Sequence, residues 1–168
     1  LIDLKSVAIY SIAYTIGGSI RIYSQAFISS YSPDFFSELN NSKNPSIIKL
    51  QSFQYFSVIL GLTICFVITI FSGHLLDYFF PSEYSQARYI IPIISFSYLI
   101  AHCGGIVGLY FKQSKKMKEN SFISIISAIL NLILNYTLIS QYGFYGAAYA
   151  TFLTFLIGFG IAYFYSKK

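Results

Sequence analysis

Five long apolar stretches, none containing Asp or Glu, restrict what this chain can fold into more than any other feature. They run over about 6–30, 50–72, 87–111, 121–140 and 143–165. An α-helix needs roughly 20 mostly apolar residues to cross about 30 Å of hydrocarbon, and each stretch meets that length. The runs are continuous rather than alternating, which excludes barrel strands. Residues 1–168 therefore read as one all-α, polytopic transmembrane helix bundle of five spans. A mean hydropathy of +0.62 with 10% charged residues excludes a soluble domain, because a chain of this size has no core able to take up so much apolar surface.

Charge and turn residues collect between the runs. Ser32-Pro33-Asp34 opens the first connection, which continues through Glu38 and the polar run 40–44, and Pro45 is placed to start the next helix. Segment 73–86 carries His74, Asp77, Pro81 and Glu83 among aromatic residues and reads as an interfacial stretch at headgroup level. Segment 112–119 is lysine-rich, and a tight turn at Gln141-Tyr142-Gly143 makes the last two spans an antiparallel hairpin.

Of the eleven Lys and Arg residues, eight flank one set of connections: Lys43, Lys49, Lys112, Lys115, Lys116, Lys118, Lys167 and Lys168. The opposite side has Lys5 and Arg88. The positive-inside rule then places the C-terminus in the cytoplasm and the N-terminus outside, as an odd number of spans requires. That placement accounts for the net charge of +5, and without a basic, aromatic-interleaved patch no nucleic-acid partner is expected. Lys112, Lys115, Lys116 and Lys118 are expected to set topology and to meet anionic lipid headgroups, with phosphate recruitment for a lipid-linked cargo as the sharper alternative.

Arg21 lies within the first span, where an ionised side chain is expensive and marks a candidate functional site. Tyr10, Tyr14, Gly17, Arg21 and Gln25 follow helical spacing, so the polar groups share one face. Arg21 either faces a water-filled cavity and attracts a phosphate or acidic sugar, or snorkels to the headgroups. His102, near the centre of the third span, is expected to hydrogen-bond a neighbouring helix, with proton coupling as the alternative. Asn131 and Asn135, one turn apart, are interhelical hydrogen-bonding groups or substrate contacts. Asp3, Asp34, Glu38, Asp77, Glu83 and Glu119 all fall outside the five runs, which favours an anionic over a cationic cargo.

Gly104 with Gly108, Ala101 with Gly105, and Gly146 with Ala150 have the small-residue spacing of close helix contacts. Pro92 either kinks the third span or belongs to its start. Cys65 and Cys103 sit in apolar runs as small hydrophobes, so neither a disulfide nor a metal site is expected. No phosphate-binding glycine loop, metal-spaced histidine pair or nucleophile beside a base is present, and neither enzymatic activity nor a cofactor is expected. With Leu at position 1 and Met117 as its one methionine, the chain reads as a piece of a longer protein.

From Val7-Ala8-Ile9-Tyr10-Ser11-Ile12-Ala13-Tyr14 onward the sequence resembles the polysaccharide flippases of the superfamily that also contains multidrug and toxin exporters and the lipid II flippase. Ser32-Pro33, Phe80-Pro81-Ser82-Glu83-Tyr84, Ile91-Pro92 and the closing Tyr142-Gly143-Phe144-Tyr145-Gly146-Ala147-Ala148-Tyr149-Ala150-Thr151 follow in the family's order. Ala8 and Pro81 depart from it, each standing where glycine is usual. The resemblance implies two lobes around a central cavity and transport of undecaprenyl-pyrophosphate-linked oligosaccharide, or a related polysaccharide precursor, by alternating access. It makes this chain most of the C-terminal lobe in a bacterial cell membrane, partnered by the bilayer, the lipid-linked cargo and the missing N-terminal helices of the same protein. The alternatives are a lobe of a cation-coupled multidrug exporter, marked by a carboxylate in the other helices, and a non-transporting membrane assembly subunit or gene remnant.

Overall fold

A computed structural model describes residues 3–41 and 45–166, so Lys43, Lys167 and Lys168 lie outside the described residues. The described chain forms α1 (Leu4–Gly17), α2 (Ile20–Asn41), α3 (Ile47–Phe79), α4 (Ala87–Gln113), α5 (Met117–Tyr142) and α6 (Phe144–Ser166), with a 3-10 turn at Ser82–Tyr84. No strand occurs among the described residues. Helices α3, α4, α5 and α6 are long and apolar enough to cross a membrane. Where the sequence predicts one continuous first span, α1 and α2 share it and are interrupted at Gly18 and Ser19.

Two expected connections turn out to be helical. Helix α2 does not stop at Ser32-Pro33 but runs through Pro33 to Asn41. An interior proline costs a helix about 3 kcal/mol. On either side of it, α2 buries Tyr31 and Phe35 against Leu50 of α3 and Leu109 of α4, and the Tyr31 hydroxyl donates to the Leu50 carbonyl at 3.0 Å. Packing therefore outweighs the breaker. Helix α3 likewise continues past residue 73 to Phe79, leaving only a short segment around the 3-10 turn between α3 and α4. Nothing in that sequence stops a helix until Pro81, which forces Phe80 before it into an extended conformation (φ −128, ψ 147). At 33 residues α3 is about 50 Å long and projects well past the hydrocarbon. Ser46 rather than Pro45 opens it, accepting the Lys49 backbone N–H at 3.4 Å.

Helix α4 is the hub, packing against α1, α2, α3 and α6, whereas α5 packs chiefly on α6. Lipid tails are as apolar as leucine, so helices associate in a bilayer by close fit and polar bridges rather than by escape from solvent. Gly17 supplies such a fit, since a Cβ there would lie 2.8 Å from the Ile91 carbonyl oxygen and 3.0 Å from Ile94 Cβ. Gly146 does the same in the α5–α6 hairpin, where a Cβ would strike the Leu138 backbone. The turn itself needs Gly143, whose φ of +58 and ψ of −137 suit no residue with a side chain. Gly104 and Gly108, expected at a helix contact, face open space, with nothing within 4 Å of where a Cβ would stand. Pro92 lies past the first turn of α4, which excludes a helix-start role. Large apolar side chains cover the outside of the bundle, including Phe56, Ile59, Phe66 and Ile70 on α3 and Ile129, Leu132 and Ile133 on α5.

Charges separate to the two ends of the bundle. Where α1 and α4 begin, Lys5 pairs with Glu83 at 3.5 Å and Arg88 with Asp77 at 2.6 Å. Asp3 caps α1 by accepting the Ser6 N–H at 2.9 Å, and its hydrogen bonds with Ser6 hold the carboxyl below its usual range. This cap is complete above the usual carboxylate range and is lost only as pH falls through the lowered value. At the other end Gln113 donates to Asn40 at 2.8 Å, joining the ends of α4 and α2. There the turn after α4 closes with Lys115 N–H to the Lys112 carbonyl (3.2 Å) and Lys116 N–H to the Phe111 carbonyl (2.9 Å), the Schellman pattern. Lys115 takes the left-handed position of that turn (φ 57), which disfavours a side chain by about 1–2 kcal/mol relative to glycine.

Substituting Gly17 with Val should destabilise the protein by about 1–3 kcal/mol through overpacking against α4. Gly104→Ala, placed in open space, should stay within about 0.5 kcal/mol of the parent. Thermal unfolding in detergent measures both, and equal melting of the two variants would contradict the α1–α4 contact.

Candidate functional site

The α1–α2 interruption organises the polar groups of the membrane interior. Gly18 keeps near-helical angles (φ −73, ψ −7), so the chain tightens rather than turns back. Hydrogen bonding shortens to one-in-three, with Arg21 N–H to the Gly18 carbonyl and Ile22 N–H to the Ser19 carbonyl, both 2.9 Å. Carbonyls released by this change need other donors, because each open peptide group in hydrocarbon costs several kcal/mol. Ser95 Oγ of α4 donates to the Gly17 carbonyl at 3.3 Å, and Ser19 Oγ donates to the Ile16 carbonyl at 2.7 Å.

Arg21 follows directly, in the first turn of α2, and is exposed. No carboxylate lies within ion-pairing distance of it among the described residues. The backbone N–H of Arg21 is already taken up by the Gly18 carbonyl, so its guanidinium is the group left to attract an anion. On the packed side of the same region the hydroxyls of Tyr14 and Tyr98 share a hydrogen bond. Gln25, one turn further along, is exposed as well. The predicted polar stripe thus divides. Tyr10, Tyr14 and Gly17 pack inward, and Arg21 and Gln25 emerge.

Tyr14 also lines a cavity of about 490 Å³ between α4, α5 and α6. Its polar wall includes Asn120, Ser127, Asn131, Thr151 and Thr154. Asn131 Nδ2 donates to Thr154 Oγ1 at 3.2 Å, and Asn135 Nδ2 donates to Asn131 Oδ1 at 2.9 Å. Asn131 therefore lines the cavity, and Asn135 holds it from behind. All of these groups are neutral, so the cavity offers hydrogen bonds without charge.

His102 occupies a different place, fully buried between α2, α3 and α4. Its Nδ1 lies 3.1 Å from Ser24 Oγ and its Nε2 lies 3.1 Å from Ser57 Oγ. Ser57 already gives its single hydroxyl proton to the Gln54 carbonyl at 2.8 Å, so it accepts from His102 Nε2–H and leaves Nδ1 to accept from Ser24. The rings of Tyr23 and Phe27 flank the imidazole, each 5.5 Å away. This arrangement pins α2, the helix that carries Arg21 and Gln25, to the bundle. Lys112, Lys115 and Lys118 are exposed and Lys116 half-buried at the lysine-rich end, remote in sequence and helix position from Arg21.

Ser24, Ser57, Tyr98, Thr151 and Thr154 are not apparent as site residues in the sequence. Hydroxyl spacing inside apolar runs, such as Ser95 with Tyr98 and Thr151 with Thr154, is the signal that marks some of them. The pairing of His102 with Ser57 has no such signal, because it joins residues of separate helices.

A helical bundle of this length and apolarity, with an interrupted helix and interior polar groups, defines a multi-pass membrane protein. The chain belongs to the MatE family, whose model matches residues 1–137. Over 152 residues it is 28% identical to the probable low-salt glycan biosynthesis flippase Agl15 of Haloferax volcanii, an alignment covering 90% of this chain and 32% of that protein. The chain thus spans about a third of the length of the curated relative it matches. No solved structure matches it.

Replacing His102 with Leu removes both hydrogen bonds and should destabilise the protein by about 1–3 kcal/mol. Unfolding in detergent is the measurement. A melting temperature equal to that of the parent would show that the imidazole does not hold α2.

Proposed function

We propose that the parent protein moves an undecaprenyl-pyrophosphate-linked oligosaccharide, or a related polysaccharide precursor, across a bacterial cytoplasmic membrane by alternating access. This chain supplies most of one lobe, with its N-terminus outside and its C-terminus in the cytoplasm, and further helices of the same protein complete the cavity. The observation that carries the proposal is Arg21: an exposed cation in an interrupted helix, without a carboxylate partner among the described residues. Interrupted helices in transporters mark substrate sites, because their freed ends and nearby charges face the binding cavity. Arg21 holds the pyrophosphate or an acidic sugar by charge-assisted hydrogen bonds. Gln25, Asn131 and Asn135 offer neutral hydrogen bonds suited to sugar hydroxyls, and His102 sets the position of α2. The relative's description as a glycan biosynthesis flippase supports the same cargo class. All six carboxylates stand outside the apolar runs, which gives a cationic drug no buried counter-ion in this lobe.

Arg21→Ala in the full-length protein should reduce polymer export about 10-fold to 100-fold at unchanged membrane abundance, matching the roughly 1.5–3 kcal/mol of a charged hydrogen bond. Arg21→Lys should recover part of the loss. Export by the Ala variant equal to that of the parent would remove Arg21 from the mechanism. For orientation, engineered thiols at Lys115 and Ser166 should react from the cytoplasmic side and one at Arg88 from outside, after Cys65 and Cys103 are replaced. Labelling of positions 115 and 166 from opposite faces would overturn the topology.

A further inference from the structure

A second concavity lies at the lysine-rich end, away from Arg21. It is a groove of about 460 Å³ between the start of α5 and the end of α6. Phe122, Ile123 and Ile126 of α5 and Ile161 and Tyr165 of α6 wall it, and Lys118 and Glu119 stand at its mouth. Lys115 and Lys116 belong to the turn that leads into α5 and Lys112 to the last turn of α4, so this end of the bundle carries four lysines and one glutamate. None of these lysines has a carboxylate within ion-pairing distance among the described residues. Lys115 adopts the left-handed conformation that closes the turn before α5.

We infer that this groove seats one acyl chain of an anionic glycerophospholipid, with the lipid phosphate against Lys118 and its neighbouring lysines. The inference requires the bundle to lie in a membrane but does not depend on the cargo or on Arg21. Charge complementarity selects the occupant. The walls are apolar and match an acyl chain in character, and the lysines of the adjoining turn give this end of the bundle an excess of positive charge at the level where headgroups begin. Exposed Tyr163, Phe164 and Tyr165 at the end of α6 mark that level, as aromatic residues do at membrane interfaces. Each basic residue near a membrane surface favours an anionic lipid over a neutral one by about fivefold.

The test uses the full-length protein in vesicles of phosphatidylcholine mixed with phosphatidylglycerol. A photoreactive group is carried on the acyl chain of one lipid or the other, and cross-links are mapped by peptide mass spectrometry. Phosphatidylglycerol should label α5 and α6 around Phe122, Ile126 and Ile161 about fivefold more than phosphatidylcholine does. Lys118→Gln alone should remove part of that preference, and replacing Lys115, Lys116 and Lys118 together with Gln should bring the two lipids close to parity. Ile126→Trp fills the groove without altering charge and should remove these cross-links while those on α3 persist. Lys5→Gln at the opposite end should change neither. Equal labelling by both lipids, or cross-links that survive Ile126→Trp in a folded protein, would overturn the inference. Displacement of phosphatidylglycerol by an equal amount of polyprenyl pyrophosphate would also overturn it, because the groove would then belong to the transported lipid.

Discussion

Hydrocarbon leaves no solvent to cover an open peptide group, and this constraint governs the placement of every polar atom in the bundle. At Gly18 and Ser19 the one-in-four ladder is broken, and the break is tolerable because Ser95 reaches across from α4 to the Gly17 carbonyl. That contact in turn requires α1 to approach α4 as closely as Gly17 allows. A larger residue at position 17 would separate the helices and leave the carbonyl bare. The break, the glycine and the serine therefore form one unit, and Arg21 emerges where it does because that unit sets the start of α2.

The other interior polar groups follow the same rule of complete pairing. His102 is stable at the centre of the bundle because two hydroxyls on different helices satisfy both ring nitrogens. Gln54 is similarly engaged, donating to the hydroxyls of Tyr31 and Tyr110 at 3.3 and 3.0 Å. No buried side-chain N or O lacks a partner among the described residues. Such bonds contribute modestly one at a time in membranes, about 0.6 kcal/mol on average. Their larger effect is directional, because each specifies which helix faces must meet. Arg21 contrasts with this saturation, being charged and exposed with no carboxylate in ion-pairing distance among the described residues.

Much of the architecture is legible in the sequence, since length and apolarity alone define a membrane helix. The runs around α3, α4, α5 and α6 have no competing fold, and the Gly143 turn announces the hairpin. Sequence and structure part where local chemistry and packing disagree. Pro33 looks like a terminus until Tyr31 and Phe35 are seen buried on either side of it. Gly18 and Ser19 look like ordinary members of an apolar run, because the break depends on Ser95, more than seventy residues away. The Gly104 and Gly108 pair has the spacing of a contact motif yet meets open space, since spacing records what a helix permits rather than what packs against it. Candidate polar residues can be found one by one, but their grouping cannot, because it is set by contacts between helices.

The two ends of the bundle show how charge can serve opposite purposes at similar exposure. At the end where α1 and α4 begin, Lys5 and Arg88 each meet a carboxylate, so the local field is nearly cancelled and the pairs tie α1 to the 3-10 turn and α3 to the start of α4. At the other end the lysines of the α4–α5 turn have no such partners, and one of them occupies a backbone conformation that a glycine would adopt more readily. Exposed ion pairs contribute only about 0–1 kcal/mol, so neither arrangement is needed for the stability of the fold. An uncompensated field acts instead on whatever lies next to it. For a helical bundle with apolar flanks in a membrane, the phosphate layer is the neighbour such a field would act on.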